Sequence, residues 1–248
     1  MFPKKNFVFA SQISGVYDVN RNETLNHDNF GIIKEWAESL KTQDLNGVLF
    51  HNGFSDSTVS KNQKAHLKFE KVEHNTNYNP NVFRYFIYKN FLEQHRENIN
   101  SVFLTDVSDV VAVKNPFIQP LFINNSQAIF CGDEPKPLMN DWMLEHSEHF
   151  RKTIPDFIPY EKKFKNASLL NCGIIGGKTK VILEFLNLVC EVHEKYNQDI
   201  SRAYTGDMGA FNYIIRTHFN SRIIHGFPVN TVFKEYQIDR KDCWFRHK

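Results

Sequence analysis

Cysteine is scarce and unpatterned: the 248 residues hold four, at positions 131, 172, 190 and 243, without CxxC spacing. That excludes a structural zinc cluster of the CxxC type and argues against a disulfide frame, fitting free thiols in a reducing compartment. An excess of one charge is also missing, since 30 basic residues face 28 acidic ones for a net +2. No overall field draws the chain to nucleic acid or anionic lipid, so any polyanion it binds must be held locally. Long apolar runs are absent too; no window approaches the roughly 20 residues of a membrane helix, and Met1-Phe2-Pro3-Lys4-Lys5-Asn6 leads into only a short one. Neither a span nor a signal peptide is expected, and the chain is placed in the cytoplasm, peripheral at the inner membrane face if its acceptor is membrane-bound. No repeat, low-complexity run or linker divides the sequence. What is present is 41% hydrophobic residues, including 23 Phe, enough for a substantial core and incompatible with a disordered chain.

Short β-like runs alternate with helical runs from end to end, which predicts one α/β domain over residues 1–248. Strands are expected at Asn6 to Gln12, Gly47 to Phe50, His66 to Val72, Ser101 to Thr105, Ala128 to Cys131 and Ala167 to Gly177. Helices are expected at Phe30 to Leu40, at Val82 to Gln94 after the Asn79-Pro80 stop, at Thr179 to Tyr196, and from near Asp207. Arg222-Ile223-Ile224-His225-Gly226 precedes a tail that reads as irregular and charged.

The strand ending at Thr105 runs straight into Asp106-Val107-Ser108-Asp109. The carboxyl end of an apolar strand is where open α/β sheets bind ligands. In a straight strand the two acids would face opposite sides, whereas a turn at Val107-Ser108 brings both to one hard cation that could hold a diphosphate. The bland alternative is a pair of turn-capping aspartates salt-bridged to neighbours.

The run Val102-Phe103-Leu104-Thr105-Asp106-Val107-Ser108-Asp109-Val110-Val111, followed by Asn115-Pro116-Phe117, resembles the metal-binding DxD segment of GT-A fold nucleotide-sugar glycosyltransferases. Other pieces follow in the order of family 8: Arg84 on the preceding helix, Leu170-Asn171-Cys172-Gly173-Ile174-Ile175-Gly176-Gly177, Thr205-Gly206-Asp207-Met208-Gly209-Ala210-Phe211-Asn212, and His225-Gly226. The sequence departs from the family pattern in having its second acid at 109 and not 108, and in lacking Lys-Pro-Trp after the late histidine.

The resemblance implies a GT-A-like, Rossmann-like α/β domain with a mixed, mostly parallel central sheet flanked by helices. A nucleotide-binding half would cover about residues 1–115, and an acceptor-binding half with the metal-completing segment about 116–248. It implies Asp106, Asp109 and His225 as ligands of Mn²⁺ or Mg²⁺. Arg84, Asp106, Ser108, Gly173, Gly226 and Lys234 would bind the donor, and Asp207 and Asn171 would serve catalysis. The implied activity is transfer of a sugar from a nucleotide diphosphate, a UDP-sugar above all, to a carbohydrate or glycolipid acceptor in bacterial surface polysaccharide synthesis. Retention of anomeric configuration follows only from the likeness to family 8. Asp133, Glu134 and Asp141 are the candidates for a general base should the reaction invert.

Two alternatives stay open. A sugar nucleotidyltransferase of similar fold would need a Gly-rich basic loop after the first strand, and Ser11-Gln12-Ile13-Ser14-Gly15-Val16 matches it poorly. A two-carboxylate metal nuclease would need a basic groove that the charge balance does not promise. Gly176-Gly177-Lys178-Thr179 is not a P-loop, because position 172 is Cys where GxxxxGK[ST] needs Gly. No GxGxxG follows the first strand, no GxSxG elbow occurs, and His146 with His149 lacks a third zinc ligand nearby.

Overall fold

The computed structural model describes residues 5–18, 23–197 and 206–248; Thr205 of the fourth motif lies outside them. In chain order the strands are β1 (Lys5–Gln12), β2 (Tyr17–Asp18), β3 (Glu23–Thr24), β4 (Asn46–His51), β5 (Leu67–Lys71), β6 (Ile99–Thr105), β7 (Val110–Ala112), β8 (Ile129–Pro137), β9 (Ser168–Lys178), β10 (Ile223–His225) and β11 (Phe245–His247). The helices are α1 (Lys34–Thr42), α2 (Asp56–Asn62), α3 (Pro80–His95), α4 (Pro120–Ile123), α5 (Asp141–His146), α6 (Glu148–Thr153), α7 (Phe157–Phe164), α8 (Thr179–Tyr196) and α9 (Asp207–His218).

Seven strands form one sheet in the order β10-β8-β9-β6-β1-β4-β5. Every neighbouring pair is parallel except those made by β9, which runs against both β6 and β8. The fold is therefore α/β, as the alternation of runs predicts, with the mixed, mostly parallel sheet flanked by helices that the resemblance implies. Helices on both faces explain why the central strands read as unbroken apolar runs. Phe9, Val102 and Leu104 enter one core layer with α3, α8 and α9 residues such as Tyr88, Phe185 and Phe211. Their sequence neighbours Val8, Ala10 and Phe103 enter the other, with Trp36, Phe122, Trp244 and Phe245. Phe103 lies opposite Gly176 on β9, and a Cβ there would collide with its ring.

Local signals set the helix starts. Asn79 accepts from the backbone N–H of Asn81 and Pro80 opens α3, while α8 spans Thr179–Tyr196 as its periodicity predicts. Three expectations need correction. The run from Phe30 begins as a 3₁₀ turn over Phe30–Ile33 before α1, the Asn29 side chain capping Gly31 N–H. The strand expected to stop at Cys131 continues to Pro137, with register shifts after Cys131 and Asp133, so that Asp133, opposite Leu170, and Glu134 are part of β8. The tail read as irregular contains β11, which pairs antiparallel with β7, Phe245 opposite Ala112 and His247 opposite Val110.

The chain leaves β1 on one side for β4 and β5, then returns on the other side as β6. Such a reversal leaves a crevice at the carboxyl ends of the two strands. Ser11 and Gln12 at the end of β1 and Ile13 after it line a cleft there with Thr105 at the end of β6 and with Asp106, Ser108 and Asp109 in the turn that follows.

Candidate metal centre and flanking clefts

Val107 and Val110 are both buried in the same core layer, so the turn after β6 is pinned at every third residue. Asp106 and Asp109, themselves three apart, are left half-buried on the open side. The Asp106 N–H continues the β6–β9 ladder by donating to the Gly173 carbonyl at 2.9 Å, and Ser108 Oγ donates to Asp109 Oδ1 at 3.3 Å.

The histidine that meets these carboxylates is His247, not His225. Ligand atoms of Asp106, Asp109 and His247 all lie within 4.8 Å of one another, with His247 Nε2 3.8 Å from Asp109 Oδ2. His247 is only 1% exposed, and its Nδ1 has no hydrogen-bond partner. The buried Trp244 and Phe245 anchor its strand, Thr231 Oγ1 accepts from its backbone N–H at 3.1 Å, and Phe233 packs on its ring at 4.5 Å. Burial holds the imidazole below its ordinary pKa, against the opposing pull of Asp106 and Glu134. Gly173 is required beside it: a Cβ there would stand 2.6 Å from His247 Cε1 and 2.7 Å from Asp106 Oδ2. Two carboxylates and a neutral imidazole make a mixed oxygen and nitrogen donor set that fits Mn²⁺, with Mg²⁺ a poorer match.

Beneath this cluster Arg84 projects from α3 and is 7% exposed. One guanidinium nitrogen, Nη1, donates to Asp106 Oδ1. The other, Nη2, lies 3.7 Å from Asp207 Oδ2 and 3.2 Å from Cys172 Sγ. Burial alone would lower the Arg84 pKa, but the Asp106 carboxylate, with Asp207 also close by, holds it well above its ordinary value. Asp207 opens α9, and Asn212 one turn on fastens that helix to β9, its Oδ1 accepting from Leu170 N–H and its Nδ2 donating to Leu170 O. Asn171, projecting from β9, donates to Glu134 Oε1 at 2.9 Å and accepts from Gly173 N–H at 2.7 Å.

Two clefts meet at this cluster and share Asn81, Arg84, Asp106 and Asp109. The first is the crevice between β1 and β6. The second is bounded by Glu134, Lys136, Trp142, Asn171, Asp207, Phe233 and Lys234. Of the residues singled out from sequence, Arg84, Asp106, Asp109, Asn171, Gly173, Asp207 and Lys234 therefore converge, and Ser108 lines the first cleft.

His225 and Gly226 stand apart from the metal cluster. His225 Nδ1 pairs with Asp133 Oδ2 at 2.8 Å, and Gly226, at φ +69°, leaves room for that carboxylate, which a Cβ would meet at 2.6 Å. Asp133 is thus engaged by His225, and Asp141 lies in the first turn of α5. Of the three acids named for a general base, Glu134 is the one that lines the second cleft. His247 escaped sequence reasoning because it lies far along the chain from both aspartates. The apolar triplet Cys243-Trp244-Phe245 within a charged tail was the available signal for its strand. Searches against family models and curated protein sequences find no match for the chain.

Proposed function

We propose that the chain is a metal-dependent glycosyltransferase that takes a nucleotide-diphosphate sugar, a UDP-sugar in the first instance, and passes the sugar to a carbohydrate acceptor. The carrying observation is the convergence of Asp106, Asp109 and His247 where two clefts meet. One cleft at the strand-order reversal suits a nucleoside, the second suits a sugar and its acceptor, and the cluster sits where a diphosphate would join them.

In this reading Asp106, Asp109 and His247 hold the ion. Held there, the ion would supply Lewis acidity toward the charge on the departing diphosphate. Lys234 pairs with a phosphate oxygen, while Arg84 braces Asp106 and Asp207 so that neither carboxylate swings away. Asp207 and Asn171 face the donor sugar; the carboxylate opposes positive charge as it develops at the anomeric carbon, and the Asn171 amide orients Glu134. A side-chain nucleophile is not required. The test is a panel of nucleotide sugars incubated with and without Mn²⁺, with donor hydrolysis and transfer followed by chromatography. Release of UDP only with Mn²⁺ supports the reading. Pyrophosphate formation or use from nucleoside triphosphate and sugar phosphate would favour a nucleotidyltransferase, and turnover of neither class would end both readings.

A further inference from the structure

Trp142 has no part in the chemistry outlined above, yet it borders the second cleft. Of the three tryptophans, Trp36 and Trp244 are 1% and 2% exposed, whereas Trp142 is 38% exposed. Its indole lies on the His146 imidazole, centroids 3.9 Å apart and planes at 26°, which fixes the ring as a rigid plate on α5. Lys136, the exposed penultimate residue of β8, lines the same cleft and brings an ammonium group to it. Its opposite number, Glu134, already accepts from Asn171.

We infer that Trp142 and Lys136 form an acceptor subsite for a sugar bearing an anionic group, a carboxylate or a phosphate. A pyranose ring laid on an aromatic plate buries its C–H face, which saves apolar area from water on both partners. Lys136 then supplies the compact cation that an anionic substituent needs, and a neutral sugar leaves it unused. The inference rests on the transferase reading for its meaning, since an acceptor must lie on the sugar side of the metal cluster.

The test uses the full chain without donor or metal. Methyl β-glucuronide, glucose 6-phosphate and methyl β-glucoside are titrated while tryptophan emission is followed, because the exposed, responsive indole is that of Trp142. A saturable change is expected, with at least one charged probe binding about tenfold more tightly than the neutral one, as a charge-assisted bond implies. The better of the two charged probes identifies the anion. Lys136→Gln should abolish the preference, and ligand-observed NMR should show binding kept in Trp142→Phe but lost in Trp142→Ala. Equal binding of all three probes, no saturable change, a charged probe that leaves Trp142 emission untouched, or an unchanged preference in Lys136→Gln overturns the subsite. Failure here with Mn²⁺-dependent UDP binding intact removes the acceptor subsite alone. Loss of that UDP binding with the probes still bound removes the transferase reading instead.

Discussion

His225 and His247 are the residues whose roles separate most sharply. Only His247 meets Asp106 and Asp109, while His225 is tied to Asp133. His247→Ala should therefore raise the Mn²⁺ dissociation constant at least tenfold in calorimetric titration with UDP present, and His225→Ala should leave it within twofold of wild type. Asp109→Ala should abolish metal-dependent UDP binding yet keep stability within about 1 kcal/mol, because a half-exposed carboxylate contributes little packing. The pH dependence follows from the His247 environment. A metal ligand must be the neutral imidazole, and burial lowers the His247 pKa from its ordinary value, so the proton competes less at a given pH. Mn²⁺ affinity should stay level down to about pH 6.5 and decline only below it; a decline centred above pH 7 would contradict the assignment. Gly173→Ala brings a methyl group against both His247 and Asp106. Metal binding should weaken markedly in that variant, with far-ultraviolet circular dichroism unchanged.

At the level of elements, α3 delivers Arg84 and α9 delivers Asp207 to the same buried point. Arg84→Ala would leave Asp207, itself only 7% exposed, facing Asp106 with no cation between them. Removing one partner of a buried pair costs about 3–5 kcal/mol, so urea denaturation should show a large loss and not merely a change in donor affinity. Arg84→Lys should recover part of it, keeping the charge but not the planar fork that reaches both carboxylates. Helices α1, α3, α8 and α9 and the central strands were legible because periodicity and the Asn79-Pro80 start act over neighbouring residues, whereas the short helices α2, α4 and α7 were not anticipated. β11 was not, since three residues among charged neighbours become a strand only when β7 is there to pair with them. Likewise the extension of β8 to Pro137 depends on β9 lying alongside it.

Across the whole molecule, one source of acid sensitivity lies outside the lining of either cleft. His193 on α8 is fully buried against Tyr85 of α3, ring centroids 6.1 Å apart, and its Nδ1 accepts from Asn197 Nδ2. Burial pushes its pKa down to about 3 from an ordinary value of 6.5. Between those values the unfolded chain binds a proton that the folded chain refuses, so this stability is complete above about pH 6.5 and is lost as pH falls toward 3. At about 1.4 kcal/mol per pH unit, roughly 2 kcal/mol should be gone by pH 5. Melting curves of wild type and His193→Gln should converge as pH drops from 7 to 5, and parallel curves would exclude this origin. By itself the sequence determined the α/β class and the placement of Asp106 and Asp109 at a strand end, because strand and helix periods and turn chemistry are local, while Arg84, Asn171, Gly173 and Asp207 became candidates through the resemblance to family 8. Which histidine joins the two aspartates was decided only in three dimensions. His225 and His247 both follow short apolar runs, but β10 pairs with β8 and brings its histidine to Asp133, whereas β11 pairs with β7, directly after the acidic turn, and brings its own to the metal cluster.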